Sequence, residues 1–276
     1  MRMLVVDAFT ARPFAGNPAA VCLLQDAADP AWMQRVAAEM KHSETAFVRP
    51  LDDAEAEFGL RWFTPMAEVA LCGHATLASA HALYSTGTVA PGEPIRFRTL
   101  KSGVLTVTGD GDGGGDGGGT LSMDFPACSP EPVDVPEGLT EALGAEVRAA
   151  GRNTQNDLLA EVADEAAVRG LTPDIPAVAR IDARGVIVTA PAAQGDDHDF
   201  VSRFFAPRVL PGDGEDPVTG SAHCALAPYW ARRLGRDTMT GFQASARGGY
   251  VGVAVRGDRV VLSGSAVTVL GGELRA

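Results

Sequence analysis

The stretch GEDPVTGSAHCALAPYW, residues 214–230, places Glu215, Asp216, Thr219 and Ser221 at the mouth of a run of small apolar residues that reads as a buried helix. Two chemistries fit such a pattern. Asp and Ser near a helix start cap its free N–H groups, and the helix field favours negative charge there. Alternatively, the open N–H groups of a buried helix start hold an anionic ligand. Other reactive side chains are scattered. Cys22, Cys72, Cys128 and Cys224 form no C-x-x-C pair, which suits reduced thiols better than a disulfide frame. His223 adjoins Cys224, and His74 and His81 stand seven apart, so no metal-ligand spacing of the H-x-x-x-H or H-E-x-x-H type occurs.

These residues must be positioned by a sizeable fold. The chain has 276 residues, 46% of them hydrophobic, enough for one large domain or two smaller ones and incompatible with disorder. A formal net charge of -12 without any Lys/Arg run argues against nucleic acid or an anionic membrane as partner. The first residues, MRMLVVDAFTARPFAGNPAAVCLL, lack a signal-length apolar run, so a cytoplasmic location is expected.

MLVVDAF reads as an opening strand, and DPAWMQRVAAEMKH as a helix capped by Asp29, with Pro30 at its first position and Trp32, Val36 and Met40 on one face. SETAFV returns as a strand. Further strands are expected at EFGLRWF, IRFRTLKSGVLTVT, TLSMDFP, NDLLAEV, GVIVTA, FVSRFFAP, YVGVAV and RVVLSGSAVTVL. The run GDGDGGGDGGG, residues 109–119, reads as a hairpin tip; it supplies too few fixed oxygen ligands for calcium.

An internal repeat organises the chain. RWFTP at 61–65 matches RFFAP at 203–207, and each is followed by an acidic residue, Glu68 or Glu215, ahead of a glycine that opens the same pattern. Gly73-His74-Ala75-x-x-Ala78-x-Ala80 parallels Gly220-Ser221-Ala222-x-x-Ala225-x-Ala227. Two similar α/β units follow, expected over 1–118 and 119–266, with 267–276 free to pack back onto the first. Helices so rich in Ala belong inside, each running through a strand layer. Paired helix starts facing one cleft would converge their N–H groups on a bound carboxylate.

Together, DAFTARPFAGNPAAV, SETAFV, FTPMAEVALCGHATLASAHAL, GEDPVTGSAHCALAPYW and QASARGG resemble the PhzF-like (phenazine biosynthesis-like) family of isomerases, from Asp7 to Gly249 and in the right order. The resemblance implies a diaminopimelate epimerase-like fold of α/β (α+β) class, in which two pseudo-symmetric domains each wrap a mixed strand layer or open barrel around a central helix. It also implies an active site between the halves, no cofactor, no metal and a homodimer. The family's acid/base glutamate falls on Glu44, which on a strand shares a face with Ala46 and Val48, and such apolar company disfavours the charged carboxylate. The second catalytic cluster falls on His74 and Asp216, with Gly73, Gly220 and Ser221 as substrate-binding residues. Taken alone, Glu44 would be a solvated edge residue, His74 a core histidine and Asp216 a helix cap.

Cys72 matches the first of two thiols that racemases of this fold use, but Thr219 occupies the second place, so two-thiol racemisation is not expected and Cys72 reads as a packing residue. The expected activity is therefore a cofactor-independent isomerase moving a proton and a double bond on a small carboxylate-bearing substrate. Two other classes stay open: an epimerase or racemase of an amino or hydroxy acid, and a non-catalytic carboxylate-binding protein.

Overall fold

The computed structural model describes residues 1–110, 119–210, 212 and 214–275. Two compact units divide the chain: Met1–Asp124 with Ser263–Ala276, and Phe125–Leu262. The chain crosses from the first to the second inside one strand and returns inside another, so neither boundary is a linker. Residues 111–118 of the Gly/Asp-rich run lie outside the described residues. The strands on either side of it pair antiparallel, Val107 with Met123 and Gly109 with Leu121.

The first unit contains strands Arg2–Ala8 (β1), Asn17–Leu23 (β2), Glu44–Pro50 (β3), Phe58–Phe63 (β4), Glu68–Val69 (β5), Ile95–Arg98 (β6), Val104–Gly109 (β7) and Leu121–Pro126 (β8), with helices Pro30–Met40 (α1) and Gly73–Ser85 (α2). The C-terminal strand Ala266–Glu273 pairs antiparallel with β1 within this unit. Asp29 caps α1 by accepting the Ala31 N–H, and Pro30 occupies the first turn, where its missing N–H costs nothing. The buried face of α1 is Met33, Val36 and Ala37; of the expected Trp32, Val36 and Met40, Val36 lies in this face, while Trp32 and Met40 pack only partly against the same cluster.

Helix α2 is buried from His74 to Tyr84. Its sequence permits this because its hydroxyls satisfy themselves within the helix: Thr76 donates to the Cys72 carbonyl at 2.6 Å and Ser79 to Ala75 at 2.7 Å. Between β1 and β2, the Asp7 carboxylate accepts the Phe14 N–H at 2.7 Å and pins the loop that delivers Asn17. Gly16 closes that loop at φ 63, where a Cβ would lie 2.1 Å from the Ala8 carbonyl oxygen, so only glycine fits.

The second unit contains Glu131–Val133 (β9), Ala149–Arg152 (β10), Asp157–Glu161 (β11), Gly185–Pro191 (β12), Phe200–Phe205 (β13), Glu215–Asp216 (β14), Thr238–Gln243 (β15), Gly249–Arg256 (β16) and Arg259–Gly264 (β17). Its helices are the short Leu139–Leu143 (α3), Glu165–Arg169 (α4) and Ile175–Val178 (α5), and the long Gly220–Leu234 (α6). Helix α6 carries Pro228, which has no N–H to offer the Cys224 carbonyl one turn back. The backbone N–H of Cys128 takes that carbonyl instead, at 3.0 Å.

Strand pairing repeats between the units. β1 with β2, β3 with β4, β4 with β5 and β6 with β7 are antiparallel, while β2 with β3 and β4 with β6 are parallel. In the second unit β10 with β11, β12 with β13, β13 with β14 and β15 with β16 are antiparallel, while β11 with β12 and β13 with β15 are parallel. Both central helices follow the hairpin strand, β5 or β14, and precede the parallel return.

Candidate active site

The repeat fixes both helix starts by the same device. Arg61 on β4 forks onto Glu68 on β5 at 2.7 and 2.8 Å, and Arg203 on β13 forks onto Glu215 on β14 at 2.7 and 2.8 Å. Bidentate pairs of this kind fix geometry as well as charge. Each guanidinium also lies over an aromatic ring of its own strand, Phe63 at 5.3 Å and Phe205 at 5.0 Å. The hairpin thus clamped leads to Cys72 or Thr219, the extended residue preceding each helix, and neither makes a side-chain capping hydrogen bond. The N-cap position belongs to Thr219, and Asp216 stands three residues ahead of it.

In the first unit Glu44 opens β3, a strand buried on both faces. Phe47 packs with Met33 and Val36 of α1, while the alternate residues Ala46 and Val48 are buried with Glu44 on the opposite side. The Glu44 carboxylate lies 3.4 Å from Nε2 of His74, the second residue of α2, with side-chain exposures of 14% and 5%. Burial, reinforced by the nearby His42, pushes the His74 pKa down to about 3, so the imidazole is neutral at physiological pH and the contact is not an ion pair. Asn17 Nδ2 sits 3.2 Å from His74 Nδ1. With the amide donating there, the single ring proton resides on Nε2, toward Glu44. The separation of 3.4 Å is longer than a formed hydrogen bond, as catalytic contacts often are before substrate tightens them.

Cys72 enters the same cluster. Its Sγ is 3.5 Å from His74 Nδ1, so the thiol touches the imidazole rather than merely filling core space. Donor atoms of Glu44, Cys72 and His74 all lie within 4.8 Å of one another, as do those of Glu165, Asp196 and His198, so each set could hold a cation. Neither set shows a recognised metal-ligand spacing in sequence: Cys72 and His74, or Asp196 and His198, stand two apart, and the third ligand, Glu44 or Glu165, comes from a distant element.

In the second unit Asp216 accepts the Thr219 hydroxyl proton at 2.6 Å. Gln243 braces both residues: Nε2 donates to the Asp216 carbonyl at 2.7 Å and to Thr219 Oγ1 at 3.1 Å, while Oε1 accepts the Thr219 N–H at 2.9 Å. Thr219 therefore has a carboxylate neighbour, which its sequence context did not reveal. Ser221, the second residue of α6, accepts from Arg184 Nη2 at 3.1 Å, and Arg184 is itself forked onto Asp157 at 2.7 and 2.6 Å. A guanidinium can only donate, so the Ser221 O–H is left to donate onward.

Glu44, His74 and Gly73 thus meet in the first unit, and Asp216, Gly220 and Ser221 at the helix start of the second. Asn17, Arg184, Asp157 and Gln243 were not singled out from sequence. Asn17 and Gln243 lie inside the distinctive motifs DAFTARPFAGNPAAV and QASARGG, and that position was the available signal.

The family model for phenazine biosynthesis-like proteins, PhzC-PhzF, matches residues 6–272. A protein of Halalkalibacterium halodurans named as an uncharacterized isomerase is 46% identical over 271 residues, covering 98% of this chain and 97% of its own. The human phenazine biosynthesis-like domain-containing protein is 40% identical over 296 residues, with 99% of each chain covered. Among solved structures, a PhzF-family protein of Enterococcus faecalis superposes with a TM-score of 0.89 at 39% identity over 100% of this chain and 99% of its own. A probable proline racemase of Agrobacterium radiobacter, at 15% identity over 99% of this chain and 92% of its own, shares the fold with a TM-score of 0.65. The architecture is the diaminopimelate epimerase-like one, and the chain belongs to the phenazine biosynthesis-like, PhzC-PhzF, family.

Proposed function

We propose that the protein is a cofactor-independent isomerase that moves a proton, and with it a double bond, on a small carboxylate-bearing substrate. The observation that carries this reading is the Glu44 carboxylate set against a neutral, buried imidazole at the start of an uncapped helix. Glu44 as carboxylate removes a proton from a carbon activated by conjugation or an adjacent carboxyl group, and as the acid returns it elsewhere on the same molecule. His74, with its proton on Nε2, donates toward Glu44, stabilising its carboxylate form and orienting it for the transfer. Asp216 assists proton positioning. Gly73, Gly220 and Ser221 bind the substrate through backbone N–H groups and the Ser221 hydroxyl. Relatives named isomerases support the class.

An epimerase reading draws on one observation, the Cys72 thiol beside His74. It lacks a second thiol: Thr219 stands in that place, its hydroxyl donating a hydrogen bond to Asp216, and a carboxylate is too weak a base to convert that hydroxyl to an alkoxide. A panel of small cyclic and amino carboxylates incubated in heavy water separates the readings by NMR. Isomerisation shifts a double bond and leaves deuterium at the new C–H position. Deuterium at an intact α-carbon with loss of optical rotation would instead show epimerisation, and binding without exchange would show a carboxylate carrier.

A further inference from the structure

Away from the Glu44 cluster, the first unit holds a cavity of about 340 Å³ beside α1, over the outer face of β3 and β4. That size lies in the range of small-molecule sites. One part of its wall is apolar, with Leu24, Ala28, Met33 and Phe47 drawn from the cluster that seats α1. The other part is cationic, with Arg49, Arg61 and Arg98. Two of these arginines are already engaged. Arg61 forks onto Glu68, and Arg98 reaches Asp53 at 2.8 and 3.1 Å and Glu55 at 2.8 Å.

Arg49 differs. Its guanidinium makes no hydrogen bond or ion pair among the described residues, although the side chain is only partly exposed. It pairs across the sheet with Gly59, and the stem lies close over that glycine: a Cβ there would meet Arg49 Cγ at 3.5 Å and Nε at 3.6 Å. A partly desolvated, unmatched guanidinium beside an apolar wall is suited to a carboxylate that brings an apolar body with it. The carboxylate of Asp53 lines the same cavity, so a second negative charge on the ligand would meet repulsion.

We infer that this cavity is a second ligand site, taking a small monocarboxylate with an aliphatic or aromatic body, anchored by Arg49 and seated against Met33 and Phe47. The site is independent of the proposed isomerisation, and its occupant is neither the substrate nor a phosphate.

Calorimetric titration of the whole chain with octanoate, octanamide and inorganic phosphate tests it. Octanoate is expected to bind saturably, octanamide and phosphate at least tenfold more weakly. Arg49→Ala should weaken octanoate at least tenfold, and Ala28→Trp, which fills the cavity, should abolish binding, while Gly220→Val, which closes the helix start proposed to hold substrate, leaves it unchanged. Intermolecular NOEs from octanoate to the Met33 methyl should locate the ligand, a readout that does not require Ala28→Trp to fold. Equal affinity for acid and amide, phosphate binding as tightly as octanoate, or an affinity that falls with Gly220→Val but survives Arg49→Ala would overturn the site.

Discussion

The two units present one scaffold with different chemistry at the same places. Registers align Thr45 with Val186, because each pairs with the last aromatic of the next strand, Phe63 or Phe205. Glu44 therefore corresponds to Gly185. His74 corresponds to Ser221, Cys72 to Thr219 and, through the hairpins, Val69 to Asp216. The first unit puts its carboxylate at the strand start, beside a neutral imidazole. The second puts its carboxylate on the hairpin, where it accepts the Thr219 hydroxyl while Gln243 braces the Asp216 backbone carbonyl, and leaves the strand start bare. Steric room explains the bareness: a Cβ on Gly185 would lie 2.4 Å from the Phe204 ring. The clamping pairs Arg61–Glu68 and Arg203–Glu215 are the same in both. The shared parts are those that aim the helix start, and the differing parts are those that could exchange protons.

The largest expected consequence is steric. Gly185→Ala should destabilise the chain by about 2–3 kcal/mol, because the added methyl overpacks against a buried ring, as urea denaturation would show. A loss below about 0.5 kcal/mol would mean that Phe204 moves aside and that room alone does not keep an acid from this place. Next, the two clamps should differ in cost despite identical geometry. Removing Arg203 strands Glu215 at 12% side-chain exposure, whereas Glu68 is at 29% and has more water. Arg203→Met is expected to cost about 2 kcal/mol and Arg61→Met about 1 kcal/mol. The reverse order in the same denaturation series would contradict the burial argument.

Cys72→Ser sharpens the comparison at the cap positions. If the thiol only accompanies His74, turnover on an identified substrate should stay within about tenfold, or about 1.4 kcal/mol. Complete loss in a folded variant would restore thiol chemistry to the first unit.

The smallest effect expected is an absence of titration. Burial pushes His74 down to about 3 and His223 down to about 4. The unfolded chain takes up these protons below about pH 6.5, so stability is full above that pH and declines as pH falls toward the folded values. NMR should find both rings neutral down to pH 5, and a midpoint above 6 for either would contradict their burial.

Much of this was legible because the repeat is written in residues that can do only one thing. Arg-x-Phe ahead of an acid and a glycine marks the clamp and the helix start, and alternation marks β3 and β4. The strand NPAAVCL (β2) is not legible in the sequence, since its small residues lack the β-branched and aromatic signature. The same holds for β10, AAGR, while TMTGFQ of β15 hides behind an internal glycine. The partners Asn17, Arg184 and Gln243 reach their targets across the fold from 57, 37 and 24 residues away, and no local pattern carries such a contact.

The central claim is that Glu44 both takes and returns the proton. Glu44→Gln keeps the side-chain shape but removes the proton-accepting oxygen, and its turnover on an identified substrate, measured beside binding of the same substrate, tests that claim. Binding should persist while turnover falls by at least about a hundredfold. A folded Gln variant that turns over at nearly the parent rate would contradict it.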